Sequence, residues 1–463
     1  MPTRRTAPRP VPGSTSTCPG SATAALGAAV LGFFVITLDA LIVNVTLPAI
    51  RDDLGGGMTG LQWVVDGYTL MFAALLLSAG VVSDRAGAHR AFGRGMAVFV
   101  LASAAGGLAP NLALLITARL VQGAGAAMML PSSLTLIREA FPNPVRRGRA
   151  IAVWTIAGSV AAAAGPVAGG ALSLVSWRMI FFVNLPIGVA ALFLLARAPR
   201  SPRRPAPLER TGQVSAVLAL GGLTFAVIEA GADGFRAPWV LVAFAVSVPA
   251  PAVFVAAQLR GRQPMVPLDL FRSRVVRIAA GNGFAFMVGL NGTVFLYSLY
   301  LQQERGLSAL AAGLVFLPMT VLSAFLGVPT ARLTERFGPK VPIIGGLSLM
   351  SLGLVGLASL PASAPVWLIA VVMIPVGICG PLAMQPTTGL LLESVPAGRS
   401  GVASGVFNTS RQLGGALAVA VFGALLAGQT NPLHGLRAGV LIAAALTLAA
   451  AVANQRLPRP TRS

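Results

Sequence analysis

Cysteine is nearly absent from this chain: Cys18 near its start and Cys379 inside an apolar run are the only two in 463 residues, so disulfides have no structural part. Histidine is as scarce, and His89 and His434 are expected on opposite sides of a membrane, which excludes a His-based metal site or catalytic dyad. The single lysine, Lys340, is followed by Val341, so no Gly-Lys-Ser/Thr phosphate loop exists and ATP hydrolysis is not expected. Charge is thin altogether. Only 10% of residues are Asp, Glu, Lys or Arg, against about a quarter in soluble proteins. The residues indicate no enzyme, no cofactor and no metal.

What is present is apolar. Hydrophobic residues make up 55% of the chain and the mean hydropathy is +0.80. Fourteen hydrophobic stretches, most long enough to cross a bilayer, are expected near residues 23–49, 61–83, 93–110, 112–137, 150–173, 179–197, 212–230, 238–258, 278–300, 309–331, 342–360, 366–390, 401–426 and 435–455. The first run, Thr23 to Ile50, is too long for a signal peptide and reads as a retained helix. A net charge of +21 would ordinarily raise nucleic acid as a partner, but the basic residues alternate with the topology. If the chain starts on the cytoplasmic side, 27 of the 34 Lys and Arg residues fall in the tails and even-numbered loops, while Arg51, Arg178, Arg236, Arg305 and Arg437 lie outside. That pattern orients a multi-pass membrane protein with both termini cytoplasmic, in contact with the lipid bilayer and not with nucleic acid.

An internal repeat divides the chain. Ser83-Asp84-Arg85-Ala86-Gly87 after the second span is echoed by Thr334-Glu335-Arg336-Phe337-Gly338 after the tenth. Two related halves mark a secondary transporter with its site between them near the bilayer midplane. The expected division is a tail (1–22), a six-helix bundle (23–197), linkers with two extra helices (198–274), a second six-helix bundle (275–455) and a short tail (456–463). The fold class is an all-α polytopic membrane protein.

Charges inside hydrocarbon cost several kcal/mol unless paired or hydrated, so each is a functional candidate. Asp39, Asp66 and Arg119 lie at roughly 13, 8 and 11 Å below the outer boundary, at about 1.5 Å per residue. Near a guanidinium, a carboxylate holds a proton at a tunable affinity, since burial favours the neutral acid and the cation favours the anion. Asp39 ranks first as proton carrier, Asp66 second. Arg411, well inside span thirteen, needs a partner or a cavity, whereas Glu229 reads as a solvated helix end. The segment Gly80 to Arg90 reads as a cytoplasmic loop, and Asp84-Arg85 and Glu335-Arg336 as paired latches between the bundles. In span five, Gly165-Pro166 with Gly169-Gly170 combines a helix break with a small-residue face. Polar and aromatic residues near mid-depth, Trp154, Phe286, Asn291, Gln385 and Asn408, join Arg411 as substrate-pocket candidates.

These residues resemble the major facilitator superfamily, specifically its fourteen-span drug:proton antiporters. Leu38-Asp39 through Leu47-Pro48 is similar to that family's first-helix motif, and Trp63 to Tyr68 to its second helix. Gly80, Asp84, Arg85, Gly87 and Arg90 match its cytoplasmic gating motif. Arg119, Gln122, Gly123 and Gly125 match the span-four motif of proton transfer, and Gly165, Pro166, Gly169 and Gly170 match the antiporter motif. Trp177-Arg178 through Gly188 is a further signature, and Trp63 to Pro131 resembles methylenomycin-type exporters of actinomycetes. Leu41, Val82, Ala88 and Ala331 depart from the family's usual residues. The resemblance implies a monomeric major facilitator fold of two six-helix bundles plus two central helices, in the bacterial plasma membrane, exchanging protons for a small, mostly hydrophobic drug or antibiotic. A proton-coupled uptake carrier for a metabolite, and a non-transporting scaffold or sensor, are the alternatives.

Overall fold

The computed structural model describes residues 19–201, 210–260, 266, 268–396, 400–427 and 432–457, and their regular structure is entirely helical. Helix occupies each of the fourteen expected stretches. The first half contains α1 (Pro19–Leu54), α2 (Met58–Ala86), α3 (Ala88–Gly107), α4 (Leu112–Ala140), α5 (Pro144–Ser173) and α6 (Met179–Ala196). Then come α7 (Arg210–Asp233) and α8 (Pro238–Arg260). The last six are α9 (Arg274–Glu304), α10 in three pieces (Ala309–Val315, Leu317–Phe325 and Gly327–Phe337), α11 (Lys340–Ser359), α12 (Val366–Glu393), α13 (Ser400–Ala427) and α14 (Pro432–Ala453). Among the described residues, 11 helices are long and apolar enough to cross a membrane. The rods outside that set are α2, with Asp66, Asp84 and Arg85, α3, opening on His89, Arg90 and Arg94, and the segmented α10.

The expected loop from Gly80 to Arg90 is instead helix with one break. Helix α2 continues to Ala86 and α3 starts at Ala88, the chain turning at Gly87 with φ 85°. Gly338 makes the corresponding turn between α10 and α11 with φ 77°. Both conformations are costly for a residue with a Cβ, so the repeat in the sequence is a repeat in backbone geometry. Helix α10 is interrupted at Phe316 and Leu326, next to Pro318 and Pro329, and α12 carries a π-helical turn at Gly380–Met384 after Pro375.

Helices α1 to α6 pack with one another, as do α9 to α14. The two groups meet where α2 faces α13, α10 faces α5, and α1 faces α9. Second helix thus meets fifth in both directions, the pairing of a pseudo-two-fold axis. Helix α7 lies over the α2–α13 seam, packing on both, and α8 packs on α7. Burial follows this order: 78% of the apolar window of α9 is buried but only 17% of that of α8, whose remaining surface suits lipid.

The loops after odd-numbered helices form an Arg-poor face and the others an Arg-rich face. The hydrogen bonds that join the halves lie toward the Arg-poor face. Gln62 of α2 donates to the carbonyls of Val419 (3.2 Å) and Ala420 (2.8 Å) in α13. Ser298 and Gln302 of α9 donate to the carbonyls of Asn44 (2.7 Å) and Val45 (3.0 Å) in α1. One hydrophobic cluster runs from Leu47, Ile50 and Leu61 of the first half into Phe295, Leu299 and Leu301 of the second.

Candidate functional site

Three helices of the first half converge on Asp39 of α1, which is fully buried. Its Oδ2 pairs with Arg119 Nη1 of α4. Its Oδ1 accepts from Gln122 Nε2 of α4 (2.8 Å) and from Asn184 Nδ2 of α6 (2.8 Å). Ser103 of α3 accepts from Asn184 (2.9 Å) and Gln122 (3.3 Å) and donates to the carbonyl of Phe181 (2.9 Å). Arg119 also donates through Nε to the Val64 carbonyl of α2 (2.9 Å) and through Nη1 to Gln122 Oε1 (2.9 Å), with the Tyr68 ring 4.5 Å from its guanidinium carbon. Asp39 is therefore a carboxylate surrounded by donors.

Small residues set this geometry. A Cβ on Gly123 would lie 2.2 Å from the Tyr68 carbonyl, so α4 approaches α2 closely enough for Arg119 to reach Val64 only because that position is glycine. A Cβ on Gly125 would meet the Gly95 carbonyl at 2.8 Å, and the same argument holds between α4 and α3.

Asp66 does not join the cage. It is fully buried in α2, and neither carboxylate oxygen has a hydrogen-bond partner among the described residues. One turn from Gln62, which reaches α13, it falls on the α2 face turned to the other half. An ion there is expensive, which makes it a candidate to carry a proton.

The span-five motif faces two ways. Cβ atoms on Gly165 and Gly169 would contact Leu41 (3.0 Å) and the Ile42 carbonyl (2.6 Å) of α1, while one on Gly170 would meet Leu310 Cα of α10 at 2.5 Å. Gly313 of α10 returns the contact, its Cβ position 2.3 Å from the Pro166 carbonyl. Motif and partner helix close the Arg-poor half of the α5–α10 seam.

The proposed latches form no ion pair with each other among the described residues. Arg85, Arg90, Glu335 and Arg336 are exposed and take part in none of the ion pairs found among the described residues, and nothing is packed close to Gly80. The side chain of Asp84 lies outside the described residues. Glu229 is part-buried and, beyond the solvated helix end expected, accepts from Trp63 Nε1 of α2 (3.1 Å), tying α7 to α2. Near the Arg-poor face, Asp53 accepts from Arg178 Nη1 (2.5 Å) and Trp177 Nε1 (2.9 Å), joining the end of α1 to the turn before α6.

The pocket candidates separate into groups. Trp154 stacks on Phe33 (3.8 Å between ring centroids) and donates to Ser133 Oγ (3.2 Å), within the first half. Phe286, Asn408 and Arg411 are brought together between α9 and α13, where a Cβ on Gly415 would lie 2.5 Å from Asn291 Nδ2. Gln385 is exposed on α12, beside Gly327 of α10. Ser103 and Asn184 belong to the cage yet are not singled out as site residues by the sequence. Asn184 was visible only as part of the Asn184-Leu185-Pro186 signature, and Ser103 carries no signal.

Comparison with known proteins agrees with this architecture. The Major Facilitator Superfamily pattern matches residues 29–419. The multidrug resistance protein Stp of Mycobacterium tuberculosis is 37% identical over 403 residues, covering 86% of this chain and 74% of its own. The methylenomycin A resistance protein of Streptomyces coelicolor is 35% identical over 438 residues, covering 93% and 91%. Among solved structures, a D-xylose-proton symporter superposes with a TM-score of 0.71 over 94% of this chain and 98% of its own, at 15% identity, a likeness of fold. The chain is thus a transporter and not an enzyme, and it belongs to the Major Facilitator Superfamily, in the branch that holds these drug-resistance proteins.

Proposed function

We propose that this chain exports small, mostly hydrophobic drugs or antibiotics across the bacterial inner membrane in exchange for protons, by alternating access between its two halves. It acts as a monomer, crosses the membrane fourteen times and keeps both termini in the cytoplasm, the Arg-rich face being the inner one. The hydrogen bonds that join the halves lie at the outer end, which fits a state that exchanges its site with the cytoplasm. The relatives' names, Stp as a multidrug resistance protein and the Streptomyces coelicolor protein for methylenomycin A, support a drug as cargo.

The observation that carries the coupling reading is the contrast between two buried carboxylates of one bundle. Asp39 is held by Arg119, Gln122 and Asn184, while Asp66 has no hydrogen-bond partner among the described residues and faces the seam that must move. Asp66 is the side chain that takes and releases the proton. Asp39 with Arg119 is the fixed charge pair that keeps α1 and α4 in register as the bundle rocks. A membrane potential of 100 mV supplies about 2.3 kcal/mol per charge moved, roughly a fiftyfold gradient, so one exchanged proton is enough for useful export of a neutral drug. Drug-induced proton release from purified protein in detergent tests this. Release is expected to vanish in Asp66→Asn and persist in Asp39→Asn, with proton-driven efflux lost in both. Release lost in Asp39→Asn and kept in Asp66→Asn would move the proton to Asp39.

A further inference from the structure

Each half carries an arginine at membrane depth, Arg119 buried and Arg411 part-buried, and among the described residues only Arg119 has a counter-ion. Arg119 has Asp39. Arg411 lies about 16 Å along α13, at about 1.5 Å per residue, and the ion pairs found among the described residues, Arg51–Asp52, Arg119–Asp39 and Arg178–Asp53, leave it out. Its Nη1 makes a long contact to Asn408 Oδ1 (3.5 Å) and its Nε has no acceptor.

The surroundings fit a guanidinium that waits for an anion. A Cβ on Gly283 of α9 would lie 2.7 Å from Arg411 Cγ, so glycine there leaves the space its stem occupies. The guanidinium carbon sits 5.9 Å from the Phe286 ring and 5.8 Å from the Phe407 ring, both buried, so the two rings flank the cation from the packed side. Asn408, Arg411, Gln412 and Gly415 follow helical spacing along one face of α13, and the first three are part-exposed. A polar face with an arginine is costly against lipid, and the contacts of Arg411 run to α9, within the second half. An unpaired guanidinium there costs several kcal/mol, and its planar fork of donors matches a carboxylate in two-point contact.

Building on the export reading above, we propose that Arg411, with Phe286, Phe407 and Asn408, forms an anion-recognising part of the substrate site, and that the cargo includes amphipathic molecules bearing a carboxylate. The acid supplies the counter-ion that Arg411 lacks among the described residues.

Matched pairs test this in the full chain in lipid nanodiscs: fusidic, mycophenolic and deoxycholic acids against their methyl esters, by calorimetric titration with empty nanodiscs subtracted. At least one acid is expected to bind about tenfold or more tightly than its ester. Arg411→Gln should bring that ratio near one, and Arg411→Lys should keep part of it, since an ammonium retains the charge without the fork. Gel filtration and thermal melting show whether each variant is folded. Equal binding of acid and ester in all three pairs, or a ratio unchanged in Arg411→Gln, overturns the proposal. A preference that emerges only when Asp66→Asn is introduced would instead make Asp66 the partner of Arg411 and also overturn it. Efflux of the esters separates the two readings: esters exported without acid preference leave export standing and remove only the anion site.

Discussion

At the scale of single residues, Asp39 and Arg119 depend on each other more than either contributes alone. Both are buried almost completely, so deleting one leaves the other as an uncompensated charge, a loss of about 3 to 5 kcal/mol in comparable cases. Neutralising both removes that penalty. Arg119→Ala is therefore expected to melt well below wild type in detergent, and Asp39→Asn with Arg119→Gln to melt closer to wild type than Arg119→Ala does, although neither transports. A double variant no more stable than Arg119→Ala would mean that packing, not charge, governs the cage. The charges of this site were legible in the sequence because Asp and Arg stand out in apolar runs. Of their neutral partners, Gln122 was visible in the span-four motif and Asn184 only within a longer signature, while Ser103 looks like many polar residues of membrane helices. That is why Asp39 ranked first as proton carrier from sequence, while the donors around it now argue for Asp66.

At the scale of helices, close approach is set by where Cβ atoms are missing. Gly123→Ala pushes a methyl group against the Tyr68 carbonyl at 2.2 Å and must move α4 off α2, taking Arg119 from Val64. A Cβ on Gly148 of α5 would meet nothing within 4 Å among the described residues, and alanine there improves helix propensity by roughly 1 kcal/mol. Thermal melting should fall for Gly123→Ala and hold or rise for Gly148→Ala, with efflux lost only in the first; equal melting would mean that α4 adjusts freely.

Helix α7 is held similarly by particular contacts, Trp63 to Glu229 near one end and Gln213 Nε2 to the Ala74 carbonyl (3.1 Å) near the other. Glu229→Ala leaves the indole N–H without its acceptor at a cost of about 1 to 3 kcal/mol, whereas Glu229→Gln keeps an oxygen there. Efflux and melting should drop in the alanine variant and stay near wild type in the glutamine variant. Equal behaviour of the two would mean that the contact does not hold α7. The rods themselves were legible from hydropathy alone. The breaks in α10, the π turn of α12 and the pairing of α2 with α13 were not, because they depend on which faces meet and hydropathy does not record a face.

At the scale of the molecule, the distribution of contacts implies a cycle. The halves are joined near the Arg-poor face by Gln62 with Val419 and Ala420, while Arg85 and Glu335, near the opposite face, are exposed. Rocking about the middle must open the first set as it brings the second together, because each half is a packed bundle that moves as a body. In a background with Cys18→Ser and Cys379→Ser, and with a protease site in the 198–209 linker so that cleaved halves separate on a gel, two cysteine pairs report the two ends. Gln62→Cys with Ala420→Cys should be joined by a short thiol crosslinker in resting protein, and that bridge should stop efflux until it is reduced. Arg85→Cys with Glu335→Cys should react weakly at rest and more strongly when an imposed proton gradient drives turnover. If both pairs react alike under both conditions, the two ends do not alternate and the transport cycle drawn from this structure is wrong.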